Sequence, residues 1–302
     1  MDITGCAFVI GGWYPSSGIG RSCAIAFAKF GARSLTLADL NLEAAQAVAK
    51  ECQSQSTNPD FRAESVVVDV TQEASVQAAM AHAVKTFGRI DYCVNSAGVG
   101  VKNASETAEA DIEEFKNMLE VNAAGTFIVT RTMSAIMKEQ ESRPVDAISP
   151  GRGSTRGSIV NLGSASSFVA TPKMIQYTAS KHAVIGITKN AALPKKQIQL
   201  QLLPHSNCAF ELTGSLVALD NAAYGIRVNS VCPSWVDTPM IRKAMDDIPA
   251  LGKMIDSAVP LGRIALAEEV ADAVMFFCSP RSSYATGCNF ILDGGTTLSS
   301  NI

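Results

Sequence analysis

The chain has 302 residues, 47% of them hydrophobic, and a formal net charge of -3. That size suits one large α/β domain or two small ones, each able to bury a substantial core. The mild acidity leaves no basic footprint for nucleic acid or an anionic membrane, and no apolar run approaches the roughly 20 residues needed to span a bilayer.

The opening Met1–Asp2–Ile3 lacks a basic stretch followed by an apolar segment, so no secretory leader is expected and the chain reads as cytoplasmic. There are eight cysteines, none in a C-x-x-C pair or near a histidine at zinc-ligand spacing. They read as core residues in a reducing compartment, and no metal site is expected.

Taken in chain order, short β-branched runs alternate with segments of helical period. Strand Cys6–Ile10 precedes helix Ile19–Phe30. Strand Leu35–Ala38 precedes helix Leu42–Cys52, and strand Ser65–Val68 precedes helix Ala74–Thr86. Strand Tyr92–Asn95 leads to helix Ile112–Lys138, strand Ser158–Leu162 to helix Gln176–Leu193. Strand Arg227–Val231, helix Glu268–Phe277 and strand Asn289–Leu292 close the series. This rhythm predicts an α/β fold: a doubly wound parallel sheet of about seven strands with helices on both faces, forming one domain over 1–302.

Two stretches break the rhythm. Ser142–Arg156, with its prolines, glycines, serines and three arginines, reads as an exposed loop before a strand. Pro194–Leu219 carries Pro194 and Pro204 in a patternless run and reads as a surface excursion, since proline cannot continue a helix cleanly. Ala192-Leu193 and Asp220-Asn221 would join without a gap in its absence, and a translated intron would leave the same seam.

The first strand runs into Gly11-Gly12-Trp13-Tyr14-Pro15-Ser16-Ser17-Gly18-Ile19-Gly20 ahead of a helix. Glycines let a backbone turn tightly against a pyrophosphate, and a helix N-terminus offers N–H groups and a favourable dipole. A plain glycine-rich connection would look the same, and Cys23 stands where a G-x-G-x-x-G motif has its third glycine. Strand two ends at Asp39, about 20 residues on, where a carboxylate can bind ribose hydroxyls and repel a 2′-phosphate, favouring NAD over NADP. The competing role for Asp39 is the N-cap of the helix at Leu42. Asp69-Val70 and Asn95-Ser96-Ala97-Gly98 follow further strands and place polar groups along the same sheet edge.

Tyr177 and Lys181 are four apart on one helix, so their side chains share a face. An ammonium nearby favours tyrosinate, which suits Tyr177 to pass a proton to or from an alcohol or ketone oxygen. Ser164, after a strand, can donate a hydrogen bond to the same oxygen.

The order and spacing of these groups, with Asn122 and the stretch Pro233–Met240, resemble the short-chain dehydrogenase/reductase family over nearly the whole chain. The likeness is strongest to fungal-type members reading "SIVNLGSASS" and "PSWVDTPM". The resemblance implies a Rossmann-like fold and an NAD(P)-dependent oxidoreductase. Catalytic roles would fall to Asn122, Ser164, Tyr177 and Lys181, with Asn122 holding a water that relays protons from Lys181. Lys181 would also hold the nicotinamide ribose beside Tyr177. Gly12, Ser17, Gly18 and Ile19 would line the pyrophosphate, and Asp39 would bind the adenosine ribose. Asp69 and Val70 would meet the adenine, and Asn95, Ala97 and Gly98 would form the adjoining turn. Pro233, Val236 and Thr238 would hold the nicotinamide end.

The substrate side is expected to comprise Ser164, Ser166, Phe168, Ala170, Met174 and Trp235. This mostly apolar set suggests a hydrophobic cyclic or secondary-metabolite-type alcohol or ketone. Ile241–Val259 is expected to form a lid. A homodimer or homotetramer is implied, although the helix carrying Tyr177 commonly lies at the family's subunit interface and here runs into Pro194–Leu219. Three features depart from the family pattern: the additional Trp13-Tyr14-Pro15, the 194–219 stretch, and Ser234 where glycine is usual. They raise the alternative of a catalytically impaired nucleotide-binding or scaffold protein.

Overall fold

The computed structural model describes residues 3–12, 18–146, 148–193, 221–247 and 249–298. Trp13–Ser17, and with them the expected pyrophosphate contact Ser17, lie outside the described residues, as does all of Pro194–Leu219.

Seven strands form one sheet: β1 (Cys6–Ile10), β2 (Ser34–Asp39), β3 (Arg62–Val67), β4 (Tyr92–Asn95), β7 (Gly157–Leu162), β8 (Ile226–Pro233) and β9 (Asn289–Leu292). Their order is β3-β2-β1-β4-β7-β8-β9, and every neighbouring pair is parallel. The remaining two, β5 (Arg143–Pro144) and β6 (Ser154–Thr155), make a separate antiparallel pair.

β1 shows why the chain chooses this arrangement. All five of its residues are buried. Ala7 and Val9 pack into one apolar cluster, with Phe27, Leu35, Leu37, Val270 and Val274. Phe8 and Ile10 pack into the other, with Val76, Met80, Met133, Ile159 and Val228. The period of two sends alternate side chains to opposite faces, and a continuous apolar run satisfies a sheet covered on both sides.

The helices among the described residues are α1 (Ile19–Lys29), α2 (Leu42–Gln55), α3 (Glu73–Phe87), α4 (Ile112–Leu119), α5 (Gly125–Glu139), α6 (Ile175–Ala191), α7 (Pro239–Asp247), α8 (Pro249–Ala258) and α9 (Ala267–Cys278); α1, α2 and α9 pack into the first cluster and α3, α5 and the end of α6 into the second. No helix among the described residues is long and apolar enough to cross a membrane. Cys6, Cys23, Cys52, Cys93, Cys232 and Cys278 are buried as free thiols.

Four boundaries differ from expectation. Strand three begins at Arg62 rather than Ser65, extending a polar edge along β2. The expected helix Ile112–Lys138 is interrupted at Glu120–Ala124 by a π turn between α4 and α5. Ser142–Arg156 is not a plain loop: β5 and β6 close a hairpin around a 3-10 turn at Pro150–Arg152. α6 ends at Ala191, and Asn221–Tyr224 then forms a 3-10 turn rather than a resumed helix. The expected lid, Ile241–Val259, is the helix pair α7 and α8.

The chain runs outward from β1 through β2 to β3, then returns to the other side of β1 with β4. The connections after β1 and β4 therefore leave to opposite faces of the sheet, which marks the carboxyl ends of these strands as the expected ligand crevice. Ile10 of β1 and Asn95 of β4 are paired at that edge.

Candidate active site

The glycine turn is closed on itself. Gly11 and Gly12 have φ of +77° and +84°, the left-handed region in which a side chain is strained. A Cβ on Gly18 would collide with the Gly12 carbonyl oxygen, and one on Gly20 with that of Gly11. A Cβ on Gly11 would stand 2.5 Å from Ala97 Cα. The turn thus presses the end of β1 against the start of α1 and against the loop after β4. α1 begins with Gly18 as N-cap, without a side-chain cap and without an acid in its first turn. Such an end, with Ile19 as its first residue, favours an anion.

Asp39 closes β2 and accepts from the Asn41 N–H at 2.9 Å. The N-cap of α2 is Asn41, whose side chain accepts from Ala44 N at 3.0 Å. The N-cap alternative for Asp39 is therefore overturned: the cap position belongs to the residue two further on. Asp69 accepts from both the N–H (2.9 Å) and the hydroxyl (2.7 Å) of Thr71, so its carboxylate shapes the turn after β3. Val70 is buried against Gly125 at the head of α5.

Asn95 is buried at the end of β4. Its Nδ2 donates to Thr126 Oγ1 at 3.3 Å, and its Oδ1 has no partner. Thr126 in turn donates to the carbonyl of Asn122 at 2.7 Å. Asn122 sits in the π turn, fully buried, and its amide grips Val99 from both sides: Val99 N donates to Oδ1 at 2.8 Å, and Nδ2 donates to Val99 O at 2.9 Å. The same Nδ2 reaches Ser180 Oγ at 3.0 Å, and Ser180 donates to the Tyr177 carbonyl at 2.8 Å. Asn122 thereby ties the crevice loop to the helix carrying Tyr177. A Cβ on Gly98 would lie 3.1 Å from Asn122 Oδ1 and 3.5 Å from Lys181 Nζ, so both groups close on that glycine.

Tyr177 and Lys181 do share a face of α6. Lys181 Nζ lies 5.7 Å from the centre of the Tyr177 ring and donates to the carbonyl of Leu162, the last residue of β7, at 3.0 Å. Lys181 is buried, so its charge acts through a medium of low dielectric. Ser164 follows two residues after Leu162. Its Oγ accepts from Ser166 N at 3.1 Å, which leaves the hydroxyl proton to be directed elsewhere.

The remaining expected site residues divide. Ser166 is buried and its hydroxyl meets that of Thr171 at 2.9 Å, while Phe168 is exposed and Met174 half-buried beside α6. Val236 is buried and bridges to Ala265, and Thr238, next to the start of α7, accepts from Arg242 N at 2.9 Å. Pro233 ends β8. Trp235 lines a cavity with Val259, Leu261, Arg263 and Ala265, beneath the connection from α8 to α9. Beside it, the Arg242 guanidinium holds the Asp237 carboxyl below its ordinary range through bonds of 2.5 and 2.8 Å.

Sequence reasoning did not single out Thr126, Ser180 or Val99. Thr126 lies four residues after Asn122 and Ser180 three after Tyr177, spacings that place each on its partner's helix face.

Comparison with known proteins agrees with this arrangement. The short chain dehydrogenase family model matches residues 6–203, and the model described as enoyl-(acyl carrier protein) reductase matches 206–297. The short-chain dehydrogenase srdC of Neurospora crassa is 63% identical, with all of both chains covered. A 2,5-dichloro-2,5-cyclohexadiene-1,4-diol dehydrogenase of Sphingobium indicum is 31% identical, over 98% of each chain. The crystal structure of levodione reductase superposes with a TM-score of 0.77 at 26% identity, covering 99% of each chain. With the doubly wound sheet and the groups gathered at its carboxyl edge, these matches establish that the chain belongs to the short-chain dehydrogenase/reductase family of oxidoreductases.

Proposed function

We propose that the protein transfers a hydride between NAD(H) and a secondary alcohol or ketone on a hydrophobic, cyclic substrate. The observation that carries this reading is the placement of Lys181: one helical turn from Tyr177, 5.7 Å from its ring, and anchored on the strand end that leads to Ser164.

The residues present fit a dinucleotide. The interlocked glycines bring the end of β1 close against the uncapped start of α1, and Asn95 Oδ1 is a buried acceptor without a protein partner among the described residues. Gly12, Gly18 and Ile19 would hold the pyrophosphate and Asp39 the adenosine ribose. Asp69 and Val70 would flank the adenine. Ala97, Gly98, Pro233, Val236 and Thr238 would border the nicotinamide end. The bound nicotinamide supplies or accepts the hydride.

The chain's own groups manage the proton. In reduction, the Tyr177 hydroxyl gives its proton to the carbonyl oxygen as the carbon accepts hydride; in oxidation the proton returns. Lys181 Nζ, 5.7 Å from the Tyr177 ring, stands close to where charge develops in the transfer. Ser164, its lone pair occupied by Ser166 N–H, donates to the same oxygen and polarises it. Asn122 holds Val99 and, through Ser180, the backbone of Tyr177, and so fixes the floor on which this exchange occurs. Phe168, Met174 and Ala170 supply an apolar side for a cyclic substrate, a class also named for the Sphingobium relative.

Purified protein with NADH and a panel of cyclic ketones is expected to turn over, and Tyr177→Phe to lower kcat by about 10²- to 10⁴-fold through loss of the proton donor. Retained turnover in that variant rejects the mechanism. A folded sample that fails to bind NAD(H) in a fluorescence titration favours the non-catalytic alternative.

A further inference from the structure

The floor of the site contains a buried thiol that the mechanism leaves without a task. Cys232 lies on β8, fully buried, alongside the end of β7. A Cβ built on Gly163 would collide with Cys232 Sγ and lie 3.2 Å from Ser167 Oγ and 3.5 Å from Cys232 Cβ. The sulfur therefore rests directly against the backbone of the residue before Ser164.

The thiol is also wired to the residues around it. Ser230 Oγ and the sulfur are 3.5 Å apart, and beside them the Ser164 N–H donates to Ser167 Oγ at 3.2 Å. Burial pushes the thiol up. Three consecutive residues are thus fixed from outside their strand. Lys181 holds the Leu162 carbonyl, Cys232 bears on Gly163, and Ser167 holds the Ser164 N–H.

We propose that Cys232 is a positioning residue: its sulfur sets the height of the β7 end and so aims the Ser164 hydroxyl at the substrate oxygen. The inference rests on the reading of Ser164 as the polarising group. It also explains why position 163 is glycine, since sulfur occupies the space a side chain would need.

Four variants test this: Cys232→Ala, Cys232→Ser, Gly163→Ala, and Gly163→Ala with Cys232→Ala. Misplacing a polarising group costs turnover more than cofactor binding. Cys232→Ala is expected to lower kcat about tenfold with the KM for NADH changed by less than about twofold, and Cys232→Ser, which keeps an acceptor, to recover part of the loss. Gly163→Ala alone is expected to lose about a hundredfold or more. Adding Cys232→Ala should return it to the level of Cys232→Ala, because the colliding atom is gone. Where Gly163→Ala alone does not fold, recovery of folding and of turnover in the double variant carries the same information. Unchanged kcat in Cys232→Ala, or losses that multiply in the double variant, overturn the proposal. Wild-type turnover that Tyr177→Phe abolishes and Cys232→Ala spares overturns this inference alone. A wild-type protein without turnover overturns the oxidoreductase reading beneath it as well.

Discussion

Asn221 donates its side-chain amide to the carbonyl oxygen of Ala191 at 2.8 Å, closing a gap of 30 positions in the chain, and to Ser134 Oγ at 2.9 Å. The end of α6 and the approach to β8 are therefore pinned to one another and to α5 on both sides of Pro194–Leu219. Deleting Pro194–Leu219, so that Leu193 joins Asp220, leaves both anchors in place. The shortened protein is expected to fold, with a melting temperature within about 2 °C of the full chain, the shift that roughly 1 kcal/mol produces in a chain of this size. An insoluble product, or a larger drop, refutes the expectation.

Arg227 is a half-buried guanidinium that meets neutral acceptors. It donates to Ser282 Oγ at 2.9 Å, Ala285 O at 3.3 Å, Phe277 O at 2.7 Å and Ser279 O at 3.4 Å, and burial lowers its pKa from the ordinary arginine value. Its fork ties β8 to the end of α9. Arg227→Met fills a similar volume yet strands several of these carbonyls, and is expected to cost about 2–4 kcal/mol in urea unfolding. A loss below about 0.5 kcal/mol shows that the acceptors find other donors.

Glu269 gives a pH signature. The Arg263 guanidinium, at 2.7 Å through both nitrogens, and the Leu266 N–H at 2.8 Å hold its carboxyl down to about 2. A carboxyl depressed below its unfolded value near about 4.3 contributes stability that is complete above that value. The contribution is lost as pH falls toward about 2. The pair lies at the surface, so solvent screening keeps the effect small. Melting temperatures of wild type and Glu269→Gln are expected to differ at pH 6 and to converge toward pH 2.5, a window fixed by these two values. A difference that grows in acid contradicts the assignment.

Asp39 closes β2 with its carboxylate at the turn that leads to Asn41. Asp39→Ser removes a negative charge from the place where a 2′-phosphate would lie. The ratio of kcat/KM for NADPH over NADH is expected to rise by about 10- to 100-fold, consistent with removal of a like-charge repulsion. An unchanged ratio places the nucleotide preference elsewhere.

Much of this architecture is legible in the residues themselves. β1 reads as a strand because five apolar residues in a row satisfy both faces, and Tyr177 meets Lys181 because four residues make one turn. Other features carry no such period. β3 starts with Arg62-Ala63-Glu64, whose polarity suits an edge strand and disguises it as loop. β5 and β6 are two residues each, too short for any alternation to register. The π turn at Glu120–Ala124 lies in a segment of uninterrupted helical pattern; it is visible only through the tertiary partners of Asn122, Val99 and Ser180. The cavity that Trp235 lines with Val259, Leu261 and Arg263 likewise has no sequence signal, because it depends on the bridge between Val236 and Ala265.

The hairpin of β5 and β6 sits at the amino ends of β7 and β8, where Ser154 packs on Gly225 and Arg156 N donates to Gly225 O at 3.0 Å. The groups proposed to react, Ser164, Tyr177 and Lys181, gather at the opposite rim of the same sheet, beside the carboxyl end of β7. The lower rim can therefore vary in sequence and length while the geometry of the upper one stays as it is.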